Sequence, residues 1–148
     1  MAARAEKPRV FVDADVLFAG AAGSTEYGAS LVVLRMAEIT LIEAITCSQV
    51  IDEAERNLEH KLPAALPAFR LLASRCLQVT PTPTADELGP YQGLAHVKDL
   101  PILAAALRER CPILLTFNQR HFRPGSPKVE VLRPGDFLQQ VRLYLTQL

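Results

Sequence analysis

Carboxylate side chains fall at the points of this sequence where predicted strands end and predicted helices begin. Asp13 ends the first predicted strand and Asp15 follows it by two residues, while Asp99 lies at the start of a later helix. Glu53 lies in the first turns of another helix, and Asn118 comes two residues after an apolar ILLT strand. Because ligands of an open α/β sheet bind at the carboxyl ends of its strands, we expect these side chains to meet at one edge of the sheet.

A cluster of carboxylates at one edge requires a counter-charge. Two carboxylates about 4 Å apart repel by about 4 kcal/mol at an effective dielectric constant of about 20, so a group of three or four is unfavourable without a bound cation. Oxygen ligands without clustered cysteine or histidine suit Mg²⁺ or Mn²⁺ better than Zn²⁺. Such an ion activates water and offsets charge on a phosphorane-like transition state. The acids therefore predict metal-dependent hydrolysis of a phosphodiester.

Helix capping is the alternative explanation for the aspartates. Asp13 and Asp15 precede a short helical stretch predicted from Val16, and aspartate is a favoured N-cap residue. Asp99 fits a cap equally well, because Pro101 follows just inside its helix. A capping aspartate can also be a metal ligand, so both interpretations stay open at this point.

Glu53 has competitors on its own helix. It lies away from the apolar stripe of that helix, in line with Gln49 and Asn57. Its neighbours Asp52 and Glu55 are alternative candidates that spacing alone does not exclude. A solvated carboxylate on a helix face is the simplest interpretation of each of the three acids.

Apolar segments with strand character alternate with amphipathic helical patterns along the chain. This alternation predicts one α/β domain over residues 1–148, a three-layer α/β/α sandwich around a central parallel sheet of four to five strands. Ser48 is the predicted N-cap of the helix after the second strand. The predicted strands cover residues 9–13, 39–46, 77–80, 113–116 and 129–132. The predicted helices cover 25–37, 64–73 and 137–145 and begin at 48 and 99, with loops at 80–97 and 117–127.

The composition limits the classes of protein and of partner. Apolar residues make up 49% of the chain and charged residues 22%, which excludes a disordered chain. Sixteen basic residues balance sixteen acidic ones, so polyanion binding must come from local patches or metal ions. Cys47, Cys76 and Cys111 are isolated among apolar residues, which predicts buried thiols in a reducing compartment. No segment is apolar for long enough to span a membrane, and we expect a cytoplasmic protein.

Four segments in a fixed order carry a family resemblance. They are VFVDADVLFAG near the start, SQVIDEAERNL in the middle, KDLPILAAAL later and ILLTFNQRHF towards the end. Together with the closing VLRPGDFL, they resemble the PIN domain family and, more narrowly, the small bacterial PIN proteins that include VapC-like toxins of toxin–antitoxin pairs. The resemblance spans nearly the whole chain and lies in the order and spacing of the motifs rather than in any one of them.

The resemblance implies an α/β/α fold and a ribonuclease whose acidic residues hold one or two Mg²⁺ or Mn²⁺ ions. Carried over by motif, Asp13 matches the invariant strand-end aspartate, Glu53 the helix glutamate and Asp99 the aspartate that opens the later helix. Thr116 matches the threonine or serine at the end of the fourth strand, whose hydroxyl is expected to orient a ligand or water. Asp15 stands where the family commonly has asparagine, so it adds a carboxylate that the usual site lacks.

Two departures from the family pattern concern the same edge. The family's TGD segment reads Thr116, Phe117 and Asn118 here, so its fourth acid is an amide and its glycine a bulky aromatic residue. His96 occupies a place where close relatives often have another aspartate. Asn118 still offers a neutral oxygen, but the loss of one negative charge is expected to lower affinity for the ion. Either Asp15 offsets that loss, or the site has weakened toward a non-catalytic domain.

We therefore expect an endoribonuclease in which Asp13, Asp99 and Glu53 hold the metal ion. Asp15 and Asn118 are expected to be direct or water-mediated ligands, and Glu53 is a candidate to assist deprotonation of the attacking water. The alternative is a PIN scaffold that binds RNA or a protein partner without cutting. A DNA-directed nuclease is a third possibility, since the site chemistry does not itself distinguish ribose from deoxyribose.

The expected partners are RNA, an antitoxin protein and a second copy of the chain. Arg120, His121 and Arg123 form a local basic cluster that is predicted to receive single-stranded RNA, with a solvated loop as the alternative. The same plain interpretation, an ordinary loop histidine, applies to His96. The cognate antitoxin and the homodimer follow from the resemblance alone. The apolar helix at residues 31–36 is a candidate dimer surface, although a core helix explains it equally well.

Overall fold

A computed structural model describes residues 7–23 and 28–148 of the chain. Within these residues five strands form one sheet in the order β3-β2-β1-β4-β5, and every neighbouring pair is parallel. The strands are β1 (Arg9–Val12), β2 (Glu43–Cys47), β3 (Leu77–Thr80), β4 (Ile113–Leu115) and β5 (Glu130–Leu132). The predicted central parallel sheet is therefore confirmed, with five strands.

Helices cover both faces of this sheet. Those in the described residues are α1 (Ala14–Ala22), α2 (Gly28–Glu38), α3 (Ser48–Lys61), α4 (Leu66–Cys76), α5 (Ala85–Leu88), α6 (Leu100–Arg108) and α7 (Pro134–Thr146). Helices α1 to α4 pack against one another and α7 packs on α2, whereas α6 contacts β2 and β4 and packs with α5. The three-layer α/β/α sandwich is thus confirmed. None of these helices, as far as the structure describes the chain, is long and apolar enough to cross a membrane.

The middle of the sheet is the most deeply buried part of the molecule. Phe11 of β1 and Leu114 of β4 are fully buried, as expected for parallel strands covered on both faces. In the edge strand β3, by contrast, the Val79 side chain is half exposed. The backbone that leads into the residues after β1 and β4 is therefore enclosed by packed side chains.

The direction in which the sheet grows reverses at β1. Strands β2 and β3 lie on one side of β1, and β4 and β5 lie on the other. Val12 pairs with Leu115, the Asp13 N–H donates to the Leu115 carbonyl at 3.0 Å, and Thr116 follows directly. A reversal of this kind opens a crevice at the carboxyl ends of the strands, and Asp13 and Thr116 emerge beside each other at that crevice.

The second strand begins later than the sequence predicted. Residues 39–42 close helix α2 instead of extending β2. The Thr40 N–H donates to the Ala37 carbonyl and the Leu41 N–H to the Met36 carbonyl, the paired bonds of a Schellman motif, and Thr40 has the left-handed φ of 67° that this motif requires. Ile39 and Leu41 are consequently more than half exposed. A short apolar alternation does not separate a strand from such a helix end.

Helix starts also differ from the prediction. The N-cap of α3 is Cys47 rather than Ser48, because β2 passes into α3 without a loop, and the Ser48 hydroxyl instead donates to the Thr80 carbonyl at 3.4 Å. Helix α1 begins at Ala14, two residues before the predicted stretch, with Asp13 as its N-cap. The predicted start of the second helix at Thr25 lies outside the described residues.

The region predicted as loop at 80–97 contains the short helix α5. Its start is a capping box, in which the Thr84 hydroxyl accepts from the Glu87 N–H and the Glu87 carboxylate accepts from the Thr84 N–H. A similarly short 3-10 turn covers Gln119–Phe122 in the predicted loop at 117–127. Single-turn elements of this length carry little hydrophobic periodicity, so the pattern did not reveal them.

The three cysteines are buried and unpaired, as predicted. They are Cys47, Cys76 and Cys111. Burial raises the pKa of each thiol, that of Cys111 to about 12. Thiols with raised pKa values are poor nucleophiles, so the cysteines contribute packing rather than chemistry.

Candidate active site

A cleft of about 740 Å³ opens at the carboxyl ends of β1 and β4. Residues from four separate parts of the chain line it: the β1–α1 junction, the face of α3, the start of α6 and the segment after β4. The predicted acids lie together in this lining, with Asn118 among them: Asp13, Asp15, Glu53 and Asp99. The topology therefore brings together the side chains that the sequence placed at strand and helix ends.

Asp13 is both a helix cap and a cleft residue. Its Oδ1 accepts from the Ala14 N–H at 2.7 Å, and its Oδ2 accepts from the Thr116 hydroxyl at 2.8 Å. The side chain is buried. Burial first, and then the adjacent charge of Asp15, raise the pKa of Asp13 from 3.8 to about 7, with a smaller contribution from Asp99. An ionised Asp13 is therefore held in place by hydrogen bonds, but its negative charge is disfavoured by burial and by the charge of Asp15.

The two carboxylate oxygens of Asp15 differ in their hydrogen bonding. Its Oδ2 accepts from the Phe117 N–H at 2.9 Å and from the Asn118 side-chain amide at 3.3 Å, and lies 3.4 Å from the Thr116 hydroxyl. Its Oδ1 is buried without a hydrogen-bond partner among the described residues. Burial, and to a smaller extent the charge of Glu53, raise the pKa of Asp15, while the Phe117 N–H lowers it. We call Asp13, Asp15 and Thr116 the acidic floor of the cleft.

The residues after β4 compensate the extra acid at position 15. The Asn118 N–H donates to the Thr116 hydroxyl at 3.1 Å, which turns the segment back over the floor. At that place an aspartate would put a second negative charge beside Asp15, whereas the Asn118 amide donates a hydrogen bond to it. The Asn118 amide and the Asp15 carboxylate are therefore physically matched.

Asp99 is directed into the cleft rather than used as a cap. It is the N-cap residue of α6, yet its carboxylate makes no capping hydrogen bond. Its Oδ2 lies 3.0 Å from His121 Nδ1 and 4.0 Å from His96 Nδ1. The capping alternative that the sequence left open for Asp99 does not describe this carboxylate.

Helix α3 supplies one wall of the cleft. Glu53, Arg56 and Asn57 line it, and we call these three residues the α3 wall. Of the two competing acids, Glu55 lies 3.5 Å from Arg70 in an ion pair and Asp52 is not part of the lining. The structure thus places Glu53 rather than its neighbours beside the aspartates.

The positive charge in the cleft does not come from the predicted basic cluster. His121 lines the cleft, but Arg120 and Arg123 are exposed outside the lining. Arg56 and Lys98 line it instead, although neither was predicted from the sequence. Arg56 lies three residues after Glu53 on a helix, so helical spacing could have identified it. Lys98 directly precedes Asp99, but that adjacency alone does not indicate which way a loop side chain points.

Of the other residues predicted as supporting, two lie at the cleft and one does not line it. His96 lines the cleft, and Thr116 is buried directly beneath it as part of the acidic floor. Ser48 does not line the cleft. Gln49, the next residue, does, and its side-chain amide donates to the Lys98 carbonyl at 3.4 Å.

The donor set fits a hard divalent cation. Across residues 7–23 and 28–148, no three His, Cys, Asp or Glu side chains converge closely enough to enclose a metal ion. Mg²⁺, however, keeps several waters and is usually held by only one or two carboxylates. The Asp15 Oδ1, unpartnered among the described residues, is a suitable ligand atom, and a cation would offset both the burial and the charge of Asp15 that raise the pKa of Asp13.

The amino-acid sequence is similar to a known protein family and to a named protein. The sequence model of the PIN domain family matches residues 9–120. A protein of Mycobacterium tuberculosis named "Putative ribonuclease VapC50" is 43% identical over 53 residues, which cover 33% of this chain. The matched segment spans about a third of that relative, 31% of its length.

Two solved structures share the fold. Mycobacterium tuberculosis VapC20, described as a sarcin-ricin loop cleaving toxin, superposes with a TM-score of 0.53 at 20% identity, covering 71% of this chain and 86% of its own. VapBC2 from Rickettsia felis, bound to a DNA fragment from its promoter, gives a TM-score of 0.60 at 17% identity over 84% and 98%. With the family match across the acidic edge and the five-stranded sheet in place, the chain belongs to the PIN domain family.

Proposed function

We propose that the chain is a metal-dependent endoribonuclease, acting as a single domain. The observation that carries this proposal is the convergence of Asp13, Asp15, Glu53 and Asp99 on one cleft of a PIN fold. Burial raises the pKa of both floor aspartates, so the cleft favours a ligand that brings positive charge. The naming of the VapC50 relative as a ribonuclease supports RNA as the substrate.

Each side chain has a distinct part in the proposed reaction. Asp13, Asp99 and Glu53 would hold Mg²⁺ or Mn²⁺ together with several waters, so that not all three carboxylates touch the ion, with Asp15 and Asn118 as direct or water-mediated ligands. When bound, the ion supplies positive charge that offsets the developing charge on the phosphate and makes water more acidic. The Thr116 hydroxyl, 2.8 Å from Asp13, keeps that carboxylate in one orientation.

The remaining cleft residues act on the RNA chain. Arg56 and Lys98 line the cleft and would offer positive charges to phosphates of the RNA chain. Each has no ion-pair partner within 4 Å among the described residues, so both cations are available to a ligand. Glu53, exposed on the α3 wall, is placed where it can accept a proton from an attacking water.

The first experiment is cleavage of a structured RNA in Mn²⁺ or Mg²⁺ by the wild type, Asp13→Asn and Asp99→Asn. We expect both variants to lose about a hundredfold in rate, because each removes a charged ligand. Asp52→Asn is the matched control, since this aspartate lies on α3 outside the cleft lining, and it should cleave like the wild type. Equal cleavage by all four proteins would indicate a contaminating nuclease and refute the proposal.

A non-catalytic PIN scaffold is the second candidate function. It is favoured by one observation, the hydrogen bond from the Asn118 amide to Asp15 in a place where the family has an acid. That bond stabilises the Asp15 carboxylate without an ion, although its negative charge remains. Titration calorimetry separates the candidates: no heat with millimolar Mn²⁺, together with no RNA cleavage, supports the scaffold and contradicts the nuclease.

The biological role that we propose is that of a cytoplasmic toxin with a cognate antitoxin. The toxin and toxin–antitoxin descriptions of VapC20 and VapBC2 support this role. Induced expression in a bacterial host should arrest growth with the wild type and not with Asp13→Asn. Growth arrest by both proteins would show that toxicity does not depend on cleavage.

We further propose a homodimer, and we place its surface at the end of α7 in place of the candidate helix at residues 31–36. Val33 and Leu34 of that helix are buried in the core, and Val32 is 47% exposed. The end of α7, which packs on α2, exposes Leu143 and Tyr144 by more than half. Light scattering should give the mass of a dimer, and a concentration-independent monomer mass would contradict this assignment.

A further inference from the structure

Two histidines form a stacked pair at the rim of the cleft. The rings of His96 and His121 lie with their centroids 5.5 Å apart and their planes 30° from parallel. They come from different loops, one before α6 and one after β4. Neither histidine belongs to the acidic floor, so the stacking of the two rings needs an explanation of its own.

Polar contacts hold both rings in place. The His96 N–H donates to the His121 carbonyl at 2.7 Å and joins the two loops through their backbones. His96 Nδ1 accepts from the Lys98 N–H at 3.3 Å, and His121 Nδ1 lies 3.0 Å from Asp99 Oδ2. A ring with restricted rotamers loses little entropy when a ligand packs on it.

The pair opens onto the cleft rather than into the core. The side chains of His96 and His121 are 57% and 52% exposed, and both line the cleft that contains Asp13. His121 stacks on one face of the His96 ring, and more than half of the His96 side chain stays exposed. Val97, in the same lining, is 82% exposed and extends the apolar surface.

We infer that the His96–His121 pair is a stacking platform for a nucleobase of single-stranded RNA. This inference rests on the proposed function, because it assigns the base that flanks the phosphate held at the acids. Single-stranded RNA is recognised largely by bases stacked on aromatic side chains, histidine included. The platform predicts a substrate with at least one unpaired base beside the cleaved bond, since a base within a helix has no free face.

The test measures binding of a fluorescent single-stranded oligoribonucleotide by anisotropy. All proteins carry Asp13→Asn so that the RNA stays intact, and three further substitutions are compared at His96. His96→Ala and His96→Gln remove the ring and should weaken binding roughly five- to a hundredfold, the range for loss of one base–aromatic stack. His96→Phe keeps a ring without its nitrogens and should bind within about twofold of its parent.

A second arm moves an abasic nucleotide along the oligonucleotide. At the stacked position the missing base should weaken binding by the parent to the level of His96→Ala and should leave His96→Ala itself unchanged. Because His96 is exposed, its substitutions should leave the melting temperature unchanged, which serves as the folding control.

The outcomes separate the platform from the proposed function. His96→Gln binding like its parent, or His96→Phe binding as weakly as His96→Ala, would overturn the platform and leave the nuclease assignment standing. Failure of the parent to bind any single-stranded RNA would overturn the platform, whereas the nuclease assignment would be overturned by the cleavage assay described above.

Discussion

The acidic floor and the α3 wall of the cleft are built in different ways. Floor residue Asp13 is buried and accepts hydrogen bonds from the Ala14 N–H and the Thr116 hydroxyl. On the wall, Glu53 and Arg56 are exposed, and neither has an ion-pair partner within 4 Å in the described part of the chain. The floor is therefore fixed before any ligand arrives and stores charge repulsion, whereas the wall is free to adjust. Substitutions in the two regions should have effects of different kind and size.

The largest expected difference is in catalysis by Asp13→Asn and Glu53→Gln. Asp13→Asn should reduce the cleavage rate in Mn²⁺ by about a hundredfold, because a preorganised ligand is lost. Glu53→Gln should reduce it by only about tenfold, because water can take the place of an exposed side chain as ligand and proton acceptor. Single-turnover rates at saturating RNA measure both. If Glu53→Gln were the more damaging change, the wall rather than the floor would control the reaction.

The pH dependence of stability should reveal how unfavourable it is to ionise Asp13 in the folded protein. The pKa of Asp13 is about 7 in the folded protein against an ordinary value of 3.8, so between these values the folded state binds more protons than the unfolded state. The free energy of unfolding without metal should therefore fall as pH rises from 4 to 8, by on the order of 1–3 kcal/mol. Urea denaturation at each pH measures it.

Two variants make the pH experiment specific. Asp13→Asn should flatten the profile and stabilise the protein at pH 8, because no charge has to be buried. Asp52→Asn, an exposed aspartate of α3, should keep the wild-type slope. A wild-type profile that rises over this range would contradict the raised pKa.

Removal of the Thr116 hydroxyl tests how the floor is held. Thr116→Val keeps the shape of the side chain but deletes the hydrogen bond to Asp13 at 2.8 Å. Because it leaves a buried carboxylate oxygen unsatisfied, the variant should lose about 1–2 kcal/mol of stability at neutral pH. Thr146→Val, at an exposed position near the end of α7, is the control and should be neutral. Equal stability of Thr116→Val and wild type would mean that the bond contributes nothing to the floor.

The smallest expected effect belongs to the α3 wall. Arg56→Ala should weaken binding of single-stranded RNA severalfold and lower the slope of log affinity against log salt by about 0.7, the value for one lost phosphate contact. Stability should not change. Arg120→Ala removes a cation outside the cleft lining and should leave the slope intact. If Arg120→Ala lowered the slope and Arg56→Ala did not, the basic cluster predicted from the sequence would be the part that contacts the phosphates.

Hydrophobic periodicity was enough to predict the parts of the molecule that are long or deeply buried. Strand β4, predicted at residues 113–116, is observed at Ile113–Leu115 with Leu114 fully buried, and the acids at strand ends share one cleft because parallel strands end at one edge. The start of β2 could not be predicted in this way. The alternating ITLI segment satisfies a strand pattern, while its place at the end of α2 depends on Thr40 adopting a left-handed conformation.

The directions of loop side chains also could not be predicted from the sequence. Arg120 and Arg123 are clustered along the chain but lie outside the cleft lining, whereas Arg56 and Lys98, distant in sequence, both line it. The partnership of Asn118 with Asp15 joins residues 103 positions apart. No local pattern encodes such a contact, because it depends on the register of β1 with β4.

The most direct test of the acidic floor as a cation site is a crystal structure soaked in Mn²⁺, with anomalous difference density. We predict a peak in contact with Asp13 and Asp99, and an Asn118 side chain either bound to the ion or to one of its waters. Crystals with no anomalous peak in the cleft, or with ions only at sites elsewhere on the surface, would contradict the central claim.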